Sequence, residues 1–347
     1  MIFLDHSRTR QADHRSGLTR VTSRLLAELG SAVQPVAVFQ PGTGGPAAAA
    51  AGFRPVGTDW LVTAELFSEA ECPGLWDLIR GRRCRLSAIF HDAIPLKLPH
   101  VTWPQSVGRH PEYMKMLAEF DRVFAVSEAS RRDLVEFWRW QGVEPRAQVE
   151  TIALGADFAG LPRIVTAGET GQASLLSIGI LEPRKNQMFL LDVCESLLRD
   201  RLVFDLHLVG RVNPHFGKPV LAKIKTLRKK WGGLHYHEAA SDDEMVALYR
   251  DTRASVFPTL AEGCGLPLLE SLWLGIPCVC SDLPVLRENA DAGGCVAVAP
   301  NDFEGWRNAL RRVLTEAAHH RELVKAAVAR PLPSWADTAK SLLTRLD

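Results

Sequence analysis

The chain has 347 residues, with 41 Lys and Arg against 40 Asp and Glu, a formal net charge of +1, 46% hydrophobic and 23% charged residues. These proportions exclude a disordered chain and a multispanning membrane protein, and the near-zero charge gives no global pull toward nucleic acid, so no nucleic-acid partner is expected. The length exceeds what one hydrophobic core serves and predicts two α/β domains. The seven cysteines are odd in number and scattered. They read as reduced, buried thiols; Cys278 and Cys280, two apart in a strand-like run, point to one face and match no zinc spacing. The start has no basic segment followed by a long apolar run, and no apolar window of about eighteen residues occurs. The expected location is cytoplasmic, or peripheral at the inner face of a membrane.

In chain order, β-rich runs alternate with helical periodicity, the pattern of parallel sheets wound with crossover helices. Strands are predicted at Ile2 to His6, Val33 to Phe39, Trp60 to Thr63, Leu86 to His91, Arg122 to Ser127 and Val149 to Leu154. The clearest early helix runs from Leu18 to Leu29, with others after Pro111 and Ser130. Gln40 to Gly52, rich in Gly, Pro and Ala, reads as a mobile loop. A composition shift over Gly160 to Ser174 marks a domain boundary ahead of the apolar run LLSIGIL. Beyond it come strand 175–181, helix 187–200, strand 204–209, helix 219–231, strand 234–238 and helix 242–250. Strand ASVFPT, helix PLLESLWL, strand CVCS, a short loop, strand CVAVA and a helix from Phe303 to Thr315 complete a second doubly wound sheet. LPSWADTAKSLLTRL forms a last amphipathic helix. The domains are accordingly 1–170, 171–325 and a returning helix at 326–347.

Three segments concentrate chemistry. In EGCGLPLLE, Glu262 to Glu270, glycines, a proline and two acids meet where a strand passes to a helix. Pro267 suits the first helical turn, whose free N–H groups and dipole favour an anion, and Gly263 and Gly265 let backbone amides approach a diphosphate. Glu270 could accept from ribose hydroxyls while Glu262 faces a reacting sugar; a plain helix entry with a capping acid explains the segment equally well. In Glu182-Pro183-Arg184-Lys185-Asn186 two cations follow a strand, where open sheets bind ligands, and Asn186 suits a helix N-cap; a solvated charged loop is the alternative. His91-Asp92 lies at a third strand end, where an imidazole could meet sugar hydroxyls and Asp92 could orient it or touch an acceptor; ordinary turn chemistry is the alternative. No Asp-x-Asp triplet occurs, so no metal site is expected.

Nearly the whole chain, most strongly Leu175 to Asp302, resembles the retaining glycosyltransferases of family 4, which have GT-B architecture. SIGILEPRKNQMFLL is similar to that family's phosphate-binding strand, loop and helix, and VFPTLAEGCGLPLLESLWLGIPCVCSDLPVLRE to its pair of glutamates eight apart. The resemblance implies an α/β GT-B fold, two Rossmann-like domains facing a central cleft, with Arg184 and Lys185 on the diphosphate, Glu262 at the donor sugar and Glu270 on the ribose. Gly263, Gly265 and Leu266 would belong to the donor loop. The first half matches more loosely: SGLTR resembles a glycine-containing loop, hence Gly17 at the donor; FHDAIPLKLP resembles the turn of an active-site histidine, hence His91 with Asp92 toward the acceptor. VFAVSEASRRDL resembles a strand ending in a serine, hence Ser127. HYHEAASDDEM departs from the family by lacking a glycine near the nucleotide base, which leaves the base open.

What the resemblance implies is a metal-independent hexosyl transfer, mannosyl among the candidates, from a nucleotide-diphosphate sugar as substrate to a saccharide or lipid-linked acceptor, with no cofactor. Domain closure would exclude water, and the departing phosphate oxygen would take the acceptor proton on the same face. An epimerase of the same fold and a non-catalytic nucleotide-sugar-binding partner are the rivals. Arg131, Arg132, Trp138, Arg139 and Trp140 could touch a membrane if the acceptor is lipid-linked; a core face for the tryptophans and a solvated face for the arginines is the alternative. As exposed or capping residues, Lys185 and Glu270 would each cost about 1 kcal/mol of stability when replaced.

Overall fold

A computed structural model describes residues 1–11, 17–39, 52–158, 160–164 and 173–347. The expected loop at 40–51 and the boundary segment at 165–172 lie outside the described residues. Contacts divide the chain into Met1–Gly155 with Pro333–Asp347, and Ala156–Leu332. Each unit is a parallel six-stranded sheet wound with helices.

In the first unit the strands are β1 (Ile2–Asp5), β2 (Gln34–Val36), β3 (Trp60–Thr63), β4 (Arg85–Phe90), β5 (Arg122–Ala125) and β6 (Gln148–Thr151), in the order β2-β1-β3-β4-β5-β6. Helices α1 (Gly17–Leu29), α2 (Leu75–Gly81), α3 (Ile94–Lys97), α4 (Pro104–Ala118) and α5 (Glu128–Trp140) connect them. The helix expected after Pro111 begins instead at Pro104, whose ring is accommodated at the first turn, and runs through Pro111. The lost backbone bond is outweighed there by burial of Tyr113, Met114, Met116 and Leu117 on the core face. Trp138, one candidate for membrane contact, is core, the alternative for it: it is 1% exposed and its indole N–H donates to the Met114 carbonyl at 2.6 Å. Trp140 is the exposed member of the pair.

The last helix of the chain packs on this unit. Numbered in chain order after α6 (Gln187–Arg199), α7 (Lys218–Arg228), α8 (Asp242–Arg250), α9 (Leu266–Trp273), α10 (Pro284–Ala290), α11 (Phe303–Thr315) and α12 (Ala317–Ala329), it is α13 (Trp335–Leu346). Trp335 is buried, the Trp60 indole donates to the Leu346 carbonyl at 2.7 Å, and the Thr338 hydroxyl donates to the Ala153 carbonyl at 2.9 Å. A Cβ on Gly155 would run into Trp335, so glycine is needed where the helix docks.

The second unit holds β7 (Ser174–Ile178), β8 (Asp205–Val209), β9 (Leu234–His237), β10 (Ala254–Phe257), β11 (Cys278–Ser281) and β12 (Cys295–Val298), ordered β12-β11-β10-β7-β8-β9. Continuous apolar strands such as β7 and β10 sit at the centre, buried on both faces, which is why they carry no polar alternation. The chain winds outward from β7 through β8 to β9, then returns to place β10 on the other side of β7. Strand order therefore reverses between β7 and β10, and in such sheets ligands bind outside the carboxyl ends at the reversal. All seven cysteines are free, and six are buried. The expected short loop after β11 is the helix α10, and α12 was not foreseen; its alanines let the backbone at Gly294 approach Ala327.

The first sheet also reverses, between β1 and β3, and buried Asp5 ties that point together. Its carboxylate accepts from the amides of Val38 (2.8 Å) and Phe39 (3.2 Å) and the hydroxyl of Ser7 (2.6 Å). Burial, with the nearby Glu65 charge, nonetheless raises its pKa from 3.8 to about 6. The folded state thus holds a proton that the unfolded chain has released, so the contribution of Asp5 to stability is fully present below 3.8 and is lost as pH rises through about 6. Asp5→Asn should relieve this dependence: relative to wild type it should gain about 2 kcal/mol between pH 4 and pH 7, read from urea unfolding at both values.

Candidate functional site

At the reversal of the second sheet two loops meet, one after β7 and one after β10. Two glycines let the β7 loop pack closely against its own Lys185 and against the loop after β8. Gly179, at φ 154°, lies under the aliphatic stem of Lys185, and a Cβ there would sit 3.2 Å from Lys185 Cε; a Cβ on Gly210 would strike the Gly179 carbonyl. Pro183–Lys185 form a single 3-10 turn that ends at Asn186 in the left-handed region, φ 58°. That conformation puts the Asn186 side chain on Asn301 at 3.1 Å, and it makes no cap on α6, contrary to the role expected for it.

Glu262 gathers the cations. Its Oε1 accepts from Lys185 Nζ at 2.6 Å, an Arg184 guanidinium nitrogen at 3.0 Å and the Thr259 hydroxyl at 2.8 Å. Arg184 also donates to the Ala261 carbonyl at 2.8 Å and pairs with Glu182 at 2.8 Å; Glu182 accepts in turn from the Asn213 amide at 3.0 Å. Lys185 Nζ stands 4.9 Å from the centre of the Phe257 ring. The backbone adds its own link, since Leu260 N–H donates to the Arg184 carbonyl at 2.8 Å. The Lys185 and Glu262 side chains are only 11% and 10% exposed. Burial alone would raise Glu262, but Lys185 and Arg184 hold it below the usual carboxylate range. Burial lowers Lys185, helped by Arg184 and opposed by Glu262.

Past Glu262 the chain turns through Gly265, φ 88°, into α9, with Leu266 and Pro267 in the first turn. Glu270 lies one turn on, 3% exposed, its Oε2 accepting from the Tyr249 hydroxyl at 3.4 Å. The expectation that Lys185 and Glu270 are exposed or capping is thus overturned, because the Lys185 side chain is largely buried in its loop and Glu270 is buried on α9.

In the first unit, His91, Asp92 and Ser127 come together. His91 Nε2 lies 2.7 Å from the Ala64 carbonyl, which can only accept, so that nitrogen carries the proton. Burial lowers the His91 pKa against the raising effects of Ala64 and Asp92, which leaves a neutral ring with Nδ1 as acceptor. Asp92 accepts from the Ile94 amide at 2.9 Å. Ser127 caps α5, accepting from the Ser130 amide at 3.0 Å, while the Ser130 hydroxyl donates to the His91 carbonyl at 2.8 Å. Gly17 opens α1 and is exposed. Sequence reasoning missed Thr259, Asn213, Phe257 and Tyr249. Only Gly179 and Gly210 left a trace, as a glycine directly following an apolar strand.

Residues 163–330 match the family model described as glycosyl transferases group 1. This part of the chain belongs to that family. Over 265 residues the chain is 29% identical to the serotype-specific mannosyltransferase WbdA of Escherichia coli, covering 72% of this chain but only 32% of that protein, so it spans about a third of that relative. It is 29% identical over 189 residues to O-antigen chain mannosyltransferase B of Escherichia coli, covering 52% of this chain and 48% of the relative. Among solved structures, sucrose-phosphate synthase from Thermosynechococcus elongatus superposes with a TM-score of 0.75 at 16% identity, covering 99% of this chain and 97% of that one. Anabaena HepE, in complex with UDP and glucose, gives 0.71 at 13% identity, over 99% and 98%. The chain has the GT-B fold, two Rossmann-like doubly wound sheets.

In this group 1 transferase domain the ion cluster can be tested as a stability element. Lys185→Met leaves buried Glu262 with Arg184 alone and should cost about 2 kcal/mol, well above a surface pair. Combined with Glu262→Gln the loss should be less than the sum of the single losses, which denaturant unfolding of the three variants measures.

Proposed function

We propose that the chain is a retaining glycosyltransferase that moves a hexosyl group from a nucleotide-diphosphate sugar to a saccharide or lipid-linked saccharide, without a metal or other cofactor. The observation that carries this reading is the pair Arg184 and Lys185 beside Glu262 and the glycine-bearing entry to α9, all at the reversal of the second sheet. Two fixed cations and the glycine-bearing turn Gly263, Gly265 and Leu266 at the entry to α9 suit a diphosphate leaving group. Glu262, already bonded to both cations, would meet the donor sugar as they turn to phosphate. Glu270 would accept from the ribose. In the first unit His91 would present its Nδ1 to a sugar hydroxyl, with Asp92 toward the acceptor and Gly17 and Ser127 in the supporting loops.

The relatives named mannosyltransferases, two of them bearing on O-antigen chains or serotype, favour a mannosyl donor and a place in polysaccharide synthesis. No helix among the described residues is long and apolar enough to cross a membrane. With a lipid-linked acceptor, contact with a membrane would be peripheral, through exposed Trp140 and neighbouring Arg139.

Lys185 acts where negative charge grows on the departing diphosphate, so Lys185→Ala should lower kcat by about 100-fold or more with a smaller change in donor KM. Glu270 binds groups that do not change in the reaction, and Glu270→Gln should raise donor KM by about tenfold. Wild-type donor kinetics in both variants would move the diphosphate elsewhere. Transfer should also persist in excess chelator; a complete loss restored by added metal would refute the metal-free mechanism. Thermal shifts with UDP, GDP, ADP and dTDP sugars identify the donor, because a ligand raises the stability of the folded state it binds.

A further inference from the structure

The first sheet has its own reversal, between β1 and β3, and beside it lies a hollow that the proposed donor residues do not use. The loop after β1 contributes Arg8, the loop after β3 Phe67 and Glu71, and α4 Ser106, Arg109 and Tyr113. They line a small hollow that opens to solvent. Its position, outside the carboxyl ends at a reversal of strand order, is where open parallel sheets take ligands.

One carboxylate organises the cations there. Glu71 faces two guanidinium groups, pairing with Arg8 through Oε2 and with Arg109 through Oε1, while the Ser68 hydroxyl donates to Oε2 at 3.0 Å. Glu71 thereby fixes both arginines side by side, with Arg8 also donating to the Leu66 carbonyl. Among the described residues, Arg109 spends a single N–H on this pairing, and both arginine side chains keep about 30% of their surface. Guanidinium groups so placed are preorganised for an oxyanion.

A second observation is independent of charge. Tyr113 is 2% exposed, and its buried hydroxyl has no hydrogen-bond partner among the described residues. An unmet hydroxyl in a packed interior is costly, and a ligand oxygen arriving in the hollow would satisfy it. The hollow also connects to the histidine turn, because His110 Nε2–H donates to the Asp92 carbonyl at 2.9 Å.

We infer that this hollow binds a phosphoryl group carried by the acceptor, with Arg8 and Arg109 meeting its charge and Tyr113 donating to one of its oxygens. The inference rests on the transferase reading above, and it narrows the acceptor to a phosphorylated one, either a soluble sugar phosphate or a polyprenyl phosphate.

The test uses the full chain. Calorimetric titration compares a hexose 6-phosphate with the free hexose, and sedimentation compares phosphatidylcholine vesicles with and without polyprenyl phosphate. At least one phosphorylated probe should bind, and its unphosphorylated counterpart about tenfold more weakly or not at all. Binding of the hexose phosphate assigns a soluble acceptor, and binding of the charged vesicles alone assigns a lipid-borne one. Arg109→Gln and Tyr113→Phe should each weaken that binding by about tenfold, with Arg109→Lys in between. Tyr113→Phe should meanwhile leave Tm unchanged or raise it, since it removes an unpaired buried group; a purely structural tyrosine would give no change in binding. Failure of both phosphorylated probes, or binding indifferent to both variants, would overturn the inference. Nucleotide binding measured on the same samples separates the two readings: if it is intact while the phosphates fail, only the acceptor inference falls, and if it is absent, the donor reading falls.

Discussion

The second unit depends on one constraint, the meeting of the β7 and β10 loops through a nearly buried carboxylate. Glu262 draws Lys185, Arg184 and Thr259 onto a single oxygen, and a backbone bond from Leu260 to Arg184 locks the loops in register. Removing one partner leaves a charge in a place where water cannot fully compensate, so the cluster has one stable arrangement. That arrangement holds two cations at the reversal of the sheet before any ligand arrives, which is what electrostatic preorganisation requires.

The price of such a cluster is close backbone packing. Gly179 and Gly210 touch because neither has a Cβ, and Gly265 turns through a left-handed conformation that brings α9 in beside Leu286. Glu270, carried on that helix, is buried against Tyr249 rather than reaching into solvent. Its carboxylate is therefore aimed by the packing of α8 and α9, and a conservative amide tests its charge with little change of shape.

The first unit uses acids differently. Asp5 and Glu65 are buried at the β1 and β3 ends and spend their oxygens on backbone amides, Asp5 on Val38 and Phe39, Glu65 on Arg8 and Thr9. They position loops, and the burial that raises Asp5 is the cost of that role. His91, neutral and held by the Ala64 carbonyl, stands beside this framework with one nitrogen to offer.

Much of the fold was legible locally. Apolar runs and helical periodicity located all twelve strands of the described residues to within a few residues and placed α11 at Phe303–Thr315, because burial face and period are written in neighbouring residues. The candidate loops were legible too, since glycines, cations and acids cluster where strands hand over to helices. Pro111 misled because its cost is local while the burial that outweighs it is not. Asn186 reads as a cap but bonds Asn301, Trp138 reads as either core or surface and is core, and Thr259 gave no hint of its bond to Glu262. The sequence by itself determined two parallel sheets and which loops carry charge, because those follow from short-range pattern. Only the tertiary structure decided that Lys185 and Glu262 share a buried bond, that two arginines share Glu71 and that the Tyr113 hydroxyl is left unpaired, because each joins residues far apart in the chain whose desolvation depends on everything packed around them.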